Sequence, residues 1–389
     1  MDLSNSGQWS CTFLLLFVIL GLSFGTEDYD DYSQESTEEQ ITTSKNTLCP
    51  RAIPGEMMAK GNTTFITIPA STRAHLSSAI TMVLIPSLYT LVFVLGLPSN
   101  GLALWILATK IKKMTSTIFL INLALADLLL ILILPFKISY YFLGNNWLFG
   151  EVACRILTAF FYGNMHCSVL LLMSISIDRY LAVVHPFFSR SFRNKTFAIC
   201  MCSAVWFLTI ISTVPLMAYQ QAYPLYGSDI TLCHDVLPRH EQSEFFFYYF
   251  VCLIVFGFLI PLVVIIFCYV SVLRALISNG EKYSYAIKLT ALVLVIILAL
   301  LTPSNLVLLI HYSEHCFNYN ADLYVVYMVC LALSTFNNCI DPFVYYYVSE
   351  EFREKIKGKC LYHHKTTSTF LITSKETVPI SVSHSQAVL

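Results

Sequence analysis

Charge is what this chain has least of. Asp, Glu, Lys and Arg make up 12% of its 389 residues, while hydrophobic types reach 56%. That is about half the charge of an ordinary soluble domain and well above its apolar share, which excludes a water-soluble globule and leaves a membrane protein. A nucleophile with its base is missing too, as is any metal-spaced cluster, so nothing supports an enzyme. There is no internal repeat, no row of intramembrane charges and no matched pair of Gly/Pro-broken half-helices, which argues against a transporter. No nucleic-acid partner is expected.

What is present begins with a short apolar run, Cys11 to Leu22, followed by Ser23-Phe24-Gly25. It reads as a removable signal peptide over residues 1–25, although Asp2 stands where a base is usual. From Thr26 to about Ser78 no hydrophobic periodicity is sustained, and residues 27–39 hold seven acids and no base. Such a stretch buries too little apolar surface to offset its ordering entropy, so a disordered, exposed ectodomain is expected. Asn62-Thr63-Thr64 is a glycosylation acceptor.

Seven apolar segments follow, at 79–108, 115–143, 152–184, 196–218, 246–277, 285–311 and 322–347. Each is long enough to span a bilayer as a helix. Lys and Arg concentrate in alternate connectors (Lys110, Lys112 and Lys113; Arg190, Arg193 and Lys195; Arg274, Lys282 and Lys288; Arg353, Lys355, Lys357 and Lys359). The positive-inside rule therefore puts the N-terminus outside the cell and the C-terminus in the cytosol, in a plasma-membrane protein. The third segment carries Cys154 at one end and Asp178-Arg179-Tyr180 at the other. They are 25 residues apart, roughly 37 Å as a helix, more than the ~30 Å hydrocarbon core. Ionisable groups at membrane depth are costly and usually functional. Asp127 and Asp341 are two such groups, and Ser168, Asn337 and Asn338 offer further oxygens for a small cation; no other cofactor is expected than an allosteric sodium ion.

Asn100, the Asn122 to Asp127 run, Cys154, Asp178-Arg179-Tyr180, Trp206, Pro261, Tyr269, Pro303 and Asp341-Pro342-x-x-Tyr345, in that order, resemble the rhodopsin-like G-protein-coupled receptors. Cys233-His234-Asp235-Val236, Pro303-Ser304-Asn305 and Asp341 narrow the resemblance to the protease-activated receptors, nearest their type-four, thrombin-receptor-like branch. The resemblance implies an all-α bundle of seven transmembrane helices over 79–348, with a disordered extracellular N-terminus and a short cytosolic amphipathic helix. It implies a Cys154–Cys233 bridge and an activation switch of Asp178, Arg179, Tyr180, Tyr269, Asp341, Pro342 and Tyr345. Tyr269 and Tyr345 are expected to bond across the gap opened for a G protein. Leu301 departs from the family's usual Trp, so an aromatic toggle does not carry over.

In that light Pro50-Arg51 is a candidate protease site. Thrombin or a trypsin-like enzyme needs a basic residue before the scissile bond, and Pro suits thrombin's next pocket. Cutting between Arg51 and Ala52 divides the ectodomain into a propeptide, 26–51, and a tethered ligand with its stalk, 52–78. The new end, Ala52-Ile53-Pro54-Gly55-Glu56-Met57, resembles type-four tethered ligands in its Pro-Gly but has Ile53 where an aromatic is usual. His234, Asp235, His311, Tyr312 and Tyr324 are expected to line the pocket. Two other readings compete: a receptor for a diffusible peptide, and a non-signalling cofactor that only concentrates protease. Cys49 and Cys316 are the remaining exterior thiols, bridged to each other, free, or paired between molecules; the membrane cysteines Cys167, Cys200, Cys202, Cys252, Cys268, Cys330 and Cys339 are expected to pack as small hydrophobes. Residues 349–389 form the amphipathic helix and tail, with Cys360 a palmitoylation site against membrane lipid and the Ser/Thr-rich end, Thr366 to Thr369 onward, suited to phosphorylation and arrestin.

Overall fold

A computed structural model describes residues 53–60, 63–192, 194–238, 245–278, 284–313, 321–348 and 351–355. The signal peptide, the acidic stretch, Cys49, Arg51, Ala52, Asn62, Cys316, Cys360 and the tail from 356 lie outside the described residues. Among the described residues, seven helices are long and apolar enough to cross a membrane: Thr72–Thr109, Thr115–Phe142, Gly150–Val184, Lys195–Ala218, Tyr248–Ser278, Ala286–Leu308 and Tyr324–Tyr345. They match the seven expected segments, and the chain is a multi-pass membrane bundle.

Two strands precede the bundle, β1 (Ile53–Lys60) and β2 (Thr63–Thr67), then a short helix α1 (Ala70–Leu76). The spans are α2 (Ile85–Thr109), entered through a π-helical turn at Ile80–Leu84, α3 (Thr115–Phe142) and α4 (Gly150–Val184). A short α5 (Pro186–Phe192) leads to α6 (Lys195–Ala218), whose first turn is capped by Asn194 Oδ1 accepting from the Phe197 amide at 2.6 Å. The loop after α6 carries β3 (Ala222–Pro224), β4 (Thr231–Cys233) and β5 (Val236–Pro238). The fifth span is α7 (Phe245–Ile254), a π-helical turn at Val255–Leu259, and α8 (Ile260–Ser278); the sixth is α9 (Ser284–Ser313). The seventh is not the single helix expected over 322–347 but two, α10 (Ala321–Ser334) and α11 (Asn337–Val348). Ser334 and Thr335 explain the break, since their hydroxyls donate to the carbonyls of Leu331 and Ala332 at 2.8 and 2.6 Å, competing with the helical ladder.

The larger correction is upstream. Residues 53–60 and 63–76, expected to lack regular structure, hold two paired strands and a helix. β1 pairs antiparallel with β2 from Glu56–Thr67 to Lys60–Thr63, and parallel with β5 from Ile53–Val236 to Gly55–Pro238. The three-stranded order is β2-β1-β5. Part of the ordering comes from β2, close by in sequence, and part from a partner some 180 residues away: the edge of β5 offers backbone groups that an extended chain can complete.

Buried side chains form two clusters along the bundle. One, at the end bearing the strands, gathers Ile53, Ile66, Tyr89, Tyr141, Phe161, Tyr223 and Val236. The other gathers Phe119, Leu120, Leu172, Tyr269, Tyr345 and Phe352. Of the seven membrane cysteines, Cys167, Cys202 and Cys268 are buried as expected, but Cys200 and Cys252 are exposed on the outer face of the bundle. A thiol facing lipid meets no desolvation penalty, so inward packing is not required of it.

Candidate functional site

The strand-bearing end is held by a disulfide between Cys154, near the start of α4, and Cys233 in β4, with Cα atoms 5.9 Å apart. Glu151, one turn earlier, fixes the same loop by accepting from the amides of Gln221 and Ala222 at 2.9 and 2.6 Å. The loop therefore cannot swing clear of the bundle, and Asp235 is lowered into its mouth. There it is 4% exposed. One carboxylate oxygen accepts from the Tyr140 hydroxyl at 2.7 Å, the other from the Tyr324 hydroxyl at 2.9 Å. Burial pushes this carboxyl above its usual range, opposed by the two hydroxyls and by Lys137. The backbone carbonyl of Asp235 accepts from the Ile53 amide at 2.8 Å. Ile53 lines a small cavity with His75, Leu76, Thr81, Asp235, Tyr324 and Met328.

Of the expected pocket residues, Asp235 and Tyr324 thus come together. His234 does not join them, because its ring faces Gln221, with Nδ1 2.6 Å from Oε1, and packs 5.2 Å from Tyr162. The side chains of His311 and Tyr312 lie outside the described residues. Of the six residues of the expected new end, Ile53, Pro54, Gly55, Glu56 and Met57 are in β1, and Ile53 and Gly55 are buried.

Midway along the bundle, Asp127, Ser168, Asn337, Asn338 and Asp341 are all buried. Tyr345 donates to Asp127 Oδ2 at 3.0 Å and to Asn100 Oδ1 at 3.3 Å, and Asn337 Nδ2 donates to Asp341 Oδ2 at 3.1 Å. Tyr345 therefore points into the bundle, toward the first and second spans. Asp127 Oδ1, Ser168 Oγ and Asn338 Nδ2 are buried with no protein partner. Asn100 Nδ2 ties the first span to the seventh through the Asn338 carbonyl at 2.6 Å, and Trp206 Nε1 ties the fourth to the second through Asn122 Oδ1 at 3.0 Å. At the far end of α4, Arg179 Nη2 sits 3.2 Å from Asp178 Oδ2, which also accepts from Ser116 Oγ at 2.7 Å; Arg179 donates to the same hydroxyl. Tyr180 and His185 share a 3.0 Å hydrogen bond beside this pair.

Residues 99–345 match the family model described as the 7 transmembrane receptor of the rhodopsin family. The chain is 44% identical to proteinase-activated receptor 4 of Mus musculus, over 90% of this chain and 92% of that one. It is 44% identical to proteinase-activated receptor 3 of Homo sapiens over 72% and 75% of the two chains, and 42% identical to the human receptor 2 over 74% of each. The chain belongs to the proteinase-activated receptors. It is a G-protein-coupled receptor of a protease-activated class, not an enzyme.

Several residues of this receptor's sites were not singled out from sequence. Tyr140 and Lys137 sit at the end of the second span, where an aromatic belt is the ordinary explanation. Ser116 is one hydroxyl in a run of Thr115-Ser116-Thr117. Asn164 was findable: it lies four residues before Ser168, on the same face of α4, and both its amide atoms are buried without a partner.

Proposed function

We propose that a serine protease, thrombin or a trypsin-like enzyme, cuts after Arg51 and that the new terminus, Ala52-Ile53-Pro54-Gly55-Glu56-Met57, acts as a tethered agonist. The observation that carries this reading is the parallel pairing of Ile53–Gly55 with Val236–Pro238, with Ile53 buried beside Asp235 and Tyr324. The residue before Ile53 is Ala52. Cleavage gives it an ammonium, and its neighbour Ile53 lines one cavity with Asp235, an acid already buried and held by two tyrosines. A tethered group experiences a roughly millimolar effective concentration, so modest contacts suffice.

In this reading the N-terminus is extracellular and the receptor sits in the plasma membrane. Heterotrimeric G proteins bind where the Asp178–Arg179 pair opens, arrestin takes the phosphorylated tail, and a palmitoyl chain on Cys360 anchors the end of the amphipathic helix in lipid. The unpartnered oxygens of Asp127 and Ser168 fit a small monovalent cation. Sodium would be held by Asp127, Ser168, Asn337, Asn338 and Asp341, and would favour the resting arrangement by satisfying buried oxygens. The test is calcium flux after thrombin in cells bearing the native or the Arg51→Gln receptor. Loss of the response in Arg51→Gln, at equal surface level, is expected; an unchanged response overturns the cleavage mechanism.

A further inference from the structure

β2 belongs neither to the segment a protease removes nor to the six residues of the new end. Yet it completes the site those residues occupy. β1 has two edges, and they are used in succession: Ile53–Gly55 pair with β5, then Glu56–Lys60 pair with β2. A linear end stopping at Met57 would lose the second pairing. Thr67 Oγ1 donates to the Glu56 carbonyl at 3.1 Å, adding a side-chain bond to the ladder.

β2 is itself fastened to the loop between the fourth and fifth spans. The Tyr226 amide donates to the Ile66 carbonyl at 2.9 Å, and Phe65 meets the Tyr226 ring edge-on at 6.1 Å. Ile66 has no exposed surface and shares the buried cluster of Ile53, Leu225 and Val236. It also explains Gly55. A methyl group there would stand 2.6 Å from Ile66 Cδ1, closer still to Ile66 Cγ1, and 2.8 Å from Val236 Cγ1. The fourth residue of the new end is therefore read from both sides at once, by β5 beneath it and by β2 above it.

We infer that the agonist is a hairpin, Ile53–Thr67, which docks by strand addition onto Val236–Pro238 with β2 as its second half. The inference rests on the reading that cleavage after Arg51 releases the agonist. It makes Ile66 and Thr67 positioning residues for the ligand and makes a free peptide of Ala52–Met57 an incomplete one. It also gives the receptor a preference for its own end, since β2 always arrives with β1 attached.

The full-length receptor carrying Met58→Cys and Phe65→Cys tests this, because these two positions face each other across the hairpin. An epitope placed before Arg51 reports cleavage separately, and the two single-cysteine receptors serve as references. Thrombin should remove the epitope, mass spectrometry should find the cross-link, and calcium signalling should match or exceed that of the references with and without mild reductant. A receptor that is cut but silent until reductant opens the bridge overturns the hairpin, and so does failure of the cross-link to form. As a second variant, Ile66→Ser should raise the thrombin concentration for half-maximal response at least tenfold, with cleavage and surface level unchanged, while Ile66→Val stays near native. Native potency of Ile66→Ser also overturns the inference. An epitope retained after thrombin sinks the cleavage reading instead.

Discussion

Asp235 is a single carboxyl on which the mouth of the bundle converges. Burial raises its pKa against the pull of Tyr140, Lys137 and Tyr324. With the folded value above the unfolded one, the protonated form stabilises the fold; that contribution is present at low pH and is lost as pH rises through the folded value. An ammonium brought by Ala52 opposes that shift, because it favours the anion, so protonation of Asp235 and binding of the new end work against each other. Agonist potency should therefore fall as pH is lowered through the folded pKa of Asp235. Asp235→Asn should flatten the profile and reduce potency about tenfold or more, since a hydrogen bond to a charged group contributes ~1.5–3 kcal/mol. The measurement is calcium response to a soluble peptide of Ala52–Thr67 on the Arg51→Gln receptor at several pH values. His75→Gln serves as control, because His75 lines the same cavity. A profile that survives Asp235→Asn unchanged assigns the titration elsewhere.

At the scale of elements, the spans were legible because apolar runs of span length leave a chain one choice in a bilayer. Most of their ends differed by a residue or two, the first span beginning earlier, at Thr72, and the sixth ending earlier, at Leu308, and the break in the seventh at Thr335 turned on two hydroxyls choosing backbone carbonyls. The hairpin was not legible. Ile53–Lys60 has no alternation of apolar and polar residues, and its partner β5 is distant in sequence, so only the folded loop supplies the edge it completes. Of the site, Asp235 with Tyr324, the bridge of Cys154 and the Asp178–Arg179 pair were readable; Tyr140 and Ser116 were masked by commonplace surroundings. Packing between elements was equally hidden. Gly163 in α4 lets Thr213 of α6 approach so closely that an added methyl would stand 2.6 Å from Thr213 Cγ2. Gly163→Val should therefore destabilise by ~1–3 kcal/mol through overpacking, seen as a lower melting temperature of the detergent-solubilised receptor. Thr213→Ser, which removes that methyl, should restore part of the loss; no recovery would place the strain elsewhere.

Among the described residues of the bundle, two apolar clusters flank a polar layer of Asp127, Asn164, Ser168, Asn338 and Asp341, several of whose atoms have no protein partner. Close-packed cores transmit displacement, whereas a layer of unsatisfied groups has more than one acceptable arrangement, so in the proposed reading the layer is where the bundle divides into resting and active forms. In the proposed reading, the resting form is held at the far end of α4. Ser116 donates to Asp178, which pairs with Arg179, so the hydroxyl fixes the carboxylate that detains the arginine. Ser116→Ala removes a hydrogen bond to a charged group, and a loss of about 1.5 kcal/mol shifts a two-state equilibrium roughly tenfold. In the Arg51→Gln background, where no protease contributes, basal inositol phosphate accumulation should rise about tenfold if the active form is rare to begin with. Arg179→Ala should abolish signalling at unchanged surface level, because the side chain that the G protein awaits is gone. Basal signalling that stays flat in Ser116→Ala, with the receptor at the surface and still responsive to peptide, would mean that the resting form is held elsewhere, with the polar layer at Asp127 as the next place to look.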